Sequence, residues 1–354
     1  MAPVTNPRLL FTQIPTGLPN AEAVFTYDNL ATIDLEADLH GGLLVKILCL
    51  SLDPYMRNRM RSADTEGDMP AFPLGEVVTG FGVGVILRSE SAEFPAGQHV
   101  GGFMPYQHFA IFGNAKSSAV DMPALGLTVL ENPHGLPWRL FVGNLGMTGQ
   151  TAYYALKDVS EAKPGETIFI SAAAGAVGLL LVQLACAKGM KVIASCGSND
   201  KADLLRSLGA AHVINRRTDD INAELRKVGP IDIYIDHVGG QALEAAIENA
   251  AMNARIVICG AISTYNGVSR DNAYGVRNLW LVNRYRITIR ALVVIDWHGR
   301  YLEEFWRVMP SEIATGNIKC FEHVCYGLGE AGRGFVDMME GRSVGKAVIV
   351  LSEE

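Results

Sequence analysis

The sequence predicts an α/β protein in which a β-rich first domain precedes a doubly wound parallel sheet. Three observations carry that reading. The first ~120 residues hold short β-like runs separated by Gly and Pro. From Leu125 onward, strand and helix patterns alternate, as a parallel sheet with crossover helices requires. Within that part, TIFISAAAGAVGLLLVQLACAKGMKVIASC (Thr167–Cys196) reads as strand, small-residue turn, apolar helix and second strand.

The elements follow in order. Leu43–Ser51, Gly75–Leu87 and His99–Phe112 are the early strands, and Gly alternating with Val and Phe over Gly75–Gly84 marks bent, barrel-like strands. Thr167–Ser171 is an apolar β-rich run, Val177–Lys188 an apolar helix stopped by Gly189, and Lys191–Ser195 the next strand. A solvated helix is expected over Lys201–Leu208, a strand at His212–Ile214 and a helix at Ile221–Lys227. The strand Ile231–Asp236 runs into Gly239 and Gly240, and a helix covers Ala242–Ala250. Arg255–Cys259 is a strand ending at Gly260, and Ile287–Ile295 is a late β-branched run. A last helix, Ala331–Glu340, and strand, Lys346–Leu351, are expected to return to the β-rich domain.

The turn after Thr167–Ser171 has the form A-x-x-G-x-x-G, with Ala172, Gly175 and Gly178 at its small positions. Small residues let the backbone approach a pyrophosphate, and the following helix points its N-terminus at the anion. A tight turn in an ordinary parallel sheet is the plainer alternative. The flanking strand, helix and second strand favour dinucleotide binding. An NAD site places Asp or Glu about 20 residues beyond the glycines, on the ribose 2′-hydroxyl. Here Ala194, Ser195 and Cys196 end the strand, and Ser198 and Lys201 follow. That arrangement favours NADP, with Ser198 and Lys201 on the 2′-phosphate and Arg216 or Arg217 as further cations. Alternatively, Lys201 merely opens a solvated helix. Ligands of such sheets bind beyond the carboxyl ends of the strands, which gives weight to Ala172–Gly178, Asp236–Gly240 and Cys259–Tyr265. The nicotinamide is expected in a cleft between the domains.

Length and composition bound the rest. The chain has 354 residues, 49% hydrophobic and 19% charged, enough for two domains with a large core. A net charge of −7 offers no basic footprint for nucleic acid. No run is apolar for long enough to span a bilayer, and no secretory signal is visible at the start, so a cytoplasmic protein is expected. The six cysteines form no C-x-x-C pair and no spaced cluster, which argues against disulfides and structural zinc.

Six motifs occur in order: LSLDPYMR (Leu50–Arg57), GMTGQTAY (Gly146–Tyr153), SAAAGAVG (Ser171–Gly178), DHVGG (Asp236–Gly240), CGAISTYN (Cys259–Asn266) and VGKAVIV (Val344–Val350). Together they resemble the zinc-independent medium-chain dehydrogenase/reductases, within them the prostaglandin reductases and plant alkenal double-bond reductases. The resemblance implies a GroES-like domain over residues 1–128, completed by 315–354, and a Rossmann NADP-binding domain over 129–314. It also implies NADPH as cofactor and a homodimer, for which the run Ile287–Ile295 would supply an edge strand.

The resemblance assigns residues as well. Gly175, Ala176, Val177 and Gly178 match the pyrophosphate turn, and Lys201 the lysine of the 2′-phosphate. Cys259, Gly260, Ala261, Ile262, Ser263 and Tyr265 match the loop beside the nicotinamide, Leu292, Val293 and Val294 the strand beneath it, and Met147 and Thr151 a helix entering the cleft. Arg216, His237 and Ser343 stand at cofactor-side positions where relatives carry Tyr, Asn and Asn, and Thr148 and Gln150 replace Pro and Leu of the GMPGL pattern. His237 reads as structural or as a tuner of pH behaviour, and His99 and His298 as surface or packing residues.

Zinc-dependent relatives carry Gly-His-Glu and a liganding cysteine. This chain has Leu74-Gly75-Glu76 and Asp53-Pro54-Tyr55 instead, and Cys49 with Glu76 is too few ligands for a catalytic zinc. The implied reaction is NADPH-dependent reduction of the C=C bond of an α,β-unsaturated ketone or aldehyde, with hydride reaching the β-carbon. Charge then collects on the carbonyl oxygen, where a phenol can stabilise it. By resemblance Tyr265 is that donor, with a ribose hydroxyl of the cofactor as a candidate partner, and Tyr55 lines the substrate pocket. Packing tyrosines are the alternative at both positions. Quinone reduction, oxidation of an allylic secondary alcohol, and cofactor binding without turnover are the competing functions.

Overall fold

The computed structural model describes residues 2–113, 125–267 and 273–353. Contacts divide the chain into two compact units, Met1–Gly143 with Glu322–Glu354, and Asn144–Phe321. The sequence-based divisions, after 128 and after 314, fall earlier than these. The turn Trp138–Val142 packs on the strands Leu43–Ser51 and Thr79–Ser89, and Arg139 Nε meets Glu322 Oε2 at 2.7 Å, which draws the segment before 143 into the first unit. On the other side, Lys319 N–H donates to Gln183 Oε1 at 2.8 Å and Gln183 Nε2 donates to Lys319 O at 3.0 Å. That pair keeps the chain up to Phe321 with the second unit.

The second unit is built on a six-stranded, all-parallel sheet. In space its strands run His212–Asn215, Lys191–Cys196, Thr167–Ile170, Ile231–Asp236, Ala250–Ile258 and Thr288–Ala291. Counted along this unit the order is 3-2-1-4-5-6, the Rossmann arrangement, whose switch point lies at the first strand. Ile168, Phe169 and Ile170 are fully buried, as strands covered on both faces must be. The Phe169 and Tyr234 rings stack 4.8 Å apart across the two central strands.

Two differences from the sequence reading matter. The run Ile287–Ile295 is a strand only over Thr288–Ala291. Leu292 N–H still donates to Ile258 O at 3.0 Å, but the neighbouring strand ends there, and Val294–Trp297 turns as a 3-10 helix. The helix His298–Ala314, with Pro310 inside it, was not foreseen. Among the described residues no helix is long and apolar enough to cross a membrane.

The first unit carries a seven-stranded sheet. The late strand Lys346–Val350 pairs antiparallel with Leu43–Ser51, which pairs in turn with Thr79–Ser89. A Cβ on Gly84 would sit 2.6 Å from Lys46 O, so glycine lets these two strands close up where their register shifts. Lys346 Nζ, 2% exposed, donates to Leu52 O at 2.7 Å and Asp53 Oδ1 at 2.6 Å. Ser51 Oγ donates to the other Asp53 oxygen and Tyr106 Oη to Ser51 O. This buried network fixes the entry to the short helix Tyr55–Arg59.

Candidate functional site

The carboxyl edge of the parallel sheet gathers three loops. The first is the fingerprint turn. Ala173 N–H donates to Ser195 O at 2.8 Å and Gly175 N–H to Ala172 O at 2.9 Å, and Ala172 takes a left-handed φ of 47°. No side chain caps the helix Ala176–Ala187 that follows, so its first N–H groups are left for an anion. A Cβ on Gly178 would lie 2.6 Å from Ala173 Cα, so the helix rests on the turn at a distance only glycine permits.

The second loop follows the strand Lys191–Cys196. Ser198 caps the helix Asn199–Ser207, accepting Lys201 N–H at 3.4 Å. A Cβ on Gly197 would lie 3.6 Å from Arg216 Nη2 and from Arg217 Nε, so both guanidinium groups lie over this glycine. Burial pushes the Lys201 ammonium below its ordinary pKa; Cys196 opposes the shift, and Arg217 and Arg216 add to it. These cations repel one another, and a phosphate would relieve that repulsion.

The third loop joins two strand ends. Buried Asp236 accepts Tyr234 Oη at 2.7 Å, Val238 N–H at 2.9 Å and Gly239 N–H at 2.7 Å, all on Oδ1. Its carbonyl accepts Cys259 N–H at 2.8 Å and Gly260 N–H at 3.1 Å. Gly239 and Gly240 have φ of 71° and 55°, and a Cβ on Gly239 would lie 3.3 Å from that of Ala261. Ser263 Oγ donates to Val238 O at 2.6 Å and Ile262 N–H to His237 O at 3.1 Å. A groove of about 720 Å³ runs past Ser195, Arg216, Val238, Gly239 and Ser263.

A family model described as a zinc-binding dehydrogenase matches residues 176–304, and one for the N-terminal domain of an oxidoreductase matches residues 8–120. The NADP-dependent oxidoreductase RED1 of Cochliobolus heterostrophus is 37% identical over 98% of both chains. The NADP(+)-dependent 2-alkenal reductase of Nicotiana tabacum is 35% identical over 99% of both. Among solved structures, CurA of Vibrio vulnificus in complex with NADPH superimposes with a TM-score of 0.86 at 30% identity, covering 98% of this chain and 100% of that one. The chain belongs to the medium-chain dehydrogenase/reductases, in the alkenal and prostaglandin reductase family.

This oxidoreductase uses NADP(H). The residues present fit it: the helix Ala176–Ala187, with no side-chain cap, offers its first N–H groups to a pyrophosphate, and the cations around Gly197 suit a 2′-phosphate. Gly175, Ala176, Val177, Gly178, Ser198, Lys201, Arg216 and His237 border these loops, as do Cys259 to Ser263 and Tyr265. Met147 and Thr151 lie on the helix Met147–Tyr154, where Thr151 Oγ1 donates to Met147 O at 2.7 Å. That helix packs against Ala176–Ala187. Leu292 is buried at the end of the edge strand, Val293 is 53% exposed, and Val294 opens the 3-10 turn.

His237 donates its backbone N–H to Ser171 Oγ at 2.9 Å, and its ring Nδ1 stands 2.8 Å from Ser171 O. A carbonyl partner assigns the proton to Nδ1 and leaves Nε2 as a buried acceptor without a hydrogen-bond partner among the described residues. Burial pushes the imidazole pKa down, against the Ser171 hydrogen bond and Asp236, so the ring is neutral at neutral pH. The Cys259 thiol is pushed up to about 12 by burial, with Asp236 adding, and is no nucleophile.

Tyr265 Oη accepts Ala261 N–H at 3.4 Å and would lie 3.1 Å from a Cβ on Gly260, so that glycine lets the phenol fold back over its loop. Tyr55 and Ser343 belong to the first unit. The Tyr55 hydroxyl is buried beside the Phe81 backbone. Burial holds it well above its ordinary pKa, with Asp53 and Tyr106 adding and Arg59 opposing, so it stays a proton donor. Ser343 is buried in the turn after the helix Ala331–Met339, its N–H directed to Asp337 O at 3.4 Å.

Sequence reasoning missed Ser171 and the bonding of Asp236. Both sit at strand ends before a small-residue turn, which was the available signal. His298, read as a surface or packing residue, sets its ring edge-on to Tyr154 with Nε2 3.1 Å from Gln150 Oε1, on the helix of Met147 and Thr151.

Proposed function

We propose that this oxidoreductase reduces the C=C bond of α,β-unsaturated ketones and aldehydes with NADPH, delivering hydride to the β-carbon without zinc. The observation that carries the reading is the loop Ala261–Tyr265, which brings a phenol to the sheet edge that also holds the dinucleotide fingerprint. Bound NADPH supplies the hydride. Gly178 and the uncapped helix hold its pyrophosphate, and Lys201, Ser198, Arg216 and Arg217 its 2′-phosphate. Met147, Thr151 and Leu292–Val294 flank the nicotinamide. Tyr265 donates its hydroxyl proton in a hydrogen bond to the carbonyl oxygen, where negative charge collects, a role worth about 2.7–4 kcal/mol in oxyanion sites. Tyr55, neutral and buried, is the second donor on the substrate side, and Ser343 contacts the cofactor.

Tyr265→Phe should lower kcat about a hundredfold or more, with the dissociation constant of NADPH nearly unchanged. Unchanged turnover would remove Tyr265 from the reaction. Anaerobic product analysis with an enone, a quinone and an allylic alcohol tests the reaction class: a saturated ketone from the enone is expected, and turnover of the quinone or alcohol alone would refute it. We further propose that the protein acts as a homodimer in the cytoplasm; the edge strand Thr288–Ala291 supports the dimer.

A further inference from the structure

Within the second unit, residues 292–294 leave the sheet. Leu292 N–H makes the last bond, to Ile258 O at 3.0 Å, and the chain then passes through the 3-10 turn Val294–Trp297 into His298. Beyond Leu292 the sheet no longer positions these residues. The turn packs instead on the helix Met147–Tyr154.

A buried polar pair joins the two segments. Gln150 is 8% exposed, and its Oε1 stands 3.1 Å from His298 Nε2. A carbonyl partner assigns the ring proton to that nitrogen. The His298 ring is also held edge-on by Tyr154, with centroids 6.1 Å apart. Gln150 lies three residues after Met147 and one before Thr151, so the three share a flank of the helix. A Cβ on Gly149 would run into Asn144 O, so the first turn is already pressed against the chain that precedes it. Further polar ties to the helix His298–Ala314, from Tyr153 Oη to Glu304 Oε1 and from Tyr301 Oη to Asp158 Oδ2, lie beyond Gln150. Gln150 stands where the GMPGL pattern has Leu, a side chain that could not accept this bond.

We infer that Gln150 and His298 are positioning residues for the dihydronicotinamide: their bond fixes the spacing and rotation of the two segments that flank the ring. This rests on the placement of Met147, Thr151 and residues 292–294 beside the nicotinamide, proposed above. A buried amide that lost its partner would turn to find another, and Met147 and Thr151 would move with the helix.

The test uses the full chain without substrate. It reads the dissociation constants of NADPH and of adenosine 2′,5′-bisphosphate, which carries the 2′-phosphate but no nicotinamide. Gln150→Met keeps the volume and loses the carbonyl, and His298→Phe keeps a ring and loses the donor. Each should weaken NADPH binding about tenfold and leave the bisphosphate within about twofold of wild type. The double variant should bind NADPH as weakly as the single ones and no more so, since the same bond is broken. Equal losses for both ligands, NADPH affinity unmoved in both variants, or losses that add in the double variant would each overturn the inference. Thr151→Phe puts bulk into the wall itself and should weaken NADPH alone. If Thr151→Phe leaves NADPH binding intact, the nicotinamide lies elsewhere, and the placement and this inference fail together. NADPH weakened by Thr151→Phe but by neither Gln150→Met nor His298→Phe refutes the positioning pair and leaves the placement standing.

Discussion

Lys201 is the residue we propose to decide cofactor preference, and its cost is visible in the fold. A half-buried ammonium near two guanidinium groups is held below its ordinary pKa, so a dianionic phosphate at that place gains from all three. Lys201→Ala should raise the KM for NADPH about tenfold or more and leave that for NADH nearly unchanged; equal losses with both cofactors would move the 2′-phosphate elsewhere. Burial is also the largest cause of the lowered pKa at His108, His237 and His298. As pH falls through the ordinary histidine value of about 6.5, the unfolded chain takes up protons before the folded one. Stability therefore rises with pH across that window and is lost as pH falls toward the folded-state values. Melting temperatures between about pH 5 and 7 should show this slope, and it should be shallower in His237→Asn; an identical slope would show that His237 contributes none of it. Ser198 and Lys201 were legible in the sequence because a helix cap and a missing strand-end acid are local signals. The binding of Asp236 to three donors was not, since it depends on how two loops fold back on one strand end.

The helix Ala176–Ala187 depends on the turn beneath it. Gly178→Ala puts a methyl within 2.6 Å of Ala173 Cα, a contact backbone cannot yield cheaply. Such overpacking costs about 1–3 kcal/mol, and both the melting temperature and NADPH affinity should fall. A variant with normal melting and normal titration would mean that the helix can lift without consequence for the pyrophosphate. Strands and helices of the parallel sheet were readable because buried strands are short, apolar and β-branched, and Gly189 stops the helix between them. The ends were less so: the strand starts at Ala250 and ends at Ile258, and its first residues, Ala, Ala, Met, Asn and Ala, include none that is β-branched. The helix His298–Ala314 escaped because Pro310 and scattered aromatic residues hide its period, although its buried Phe305, Met309 and Ile313 follow a helical spacing.

At the scale of the molecule, six ordered motifs were enough to specify a β-rich unit and a nucleotide-binding unit. Their limits were not, because a salt bridge at Glu322 and an amide pair at Gln183 decide which unit each linking segment joins. The exposed edge strand Thr288–Ala291, with Trp280 and Leu279 exposed on the neighbouring segment, is the surface expected to meet a second copy. Sedimentation at micromolar concentration should give a dimer, and Ile289→Lys should shift it toward monomer; a monomeric wild type would reject the assembly. The pairing of Lys346 with Asp53 has a consequence for biogenesis. Residues almost three hundred positions apart must meet before the first β-rich unit is whole. On the ribosome, the nucleotide-binding unit can finish while that earlier unit still lacks its last strand, so the portion synthesised first is the portion sealed last.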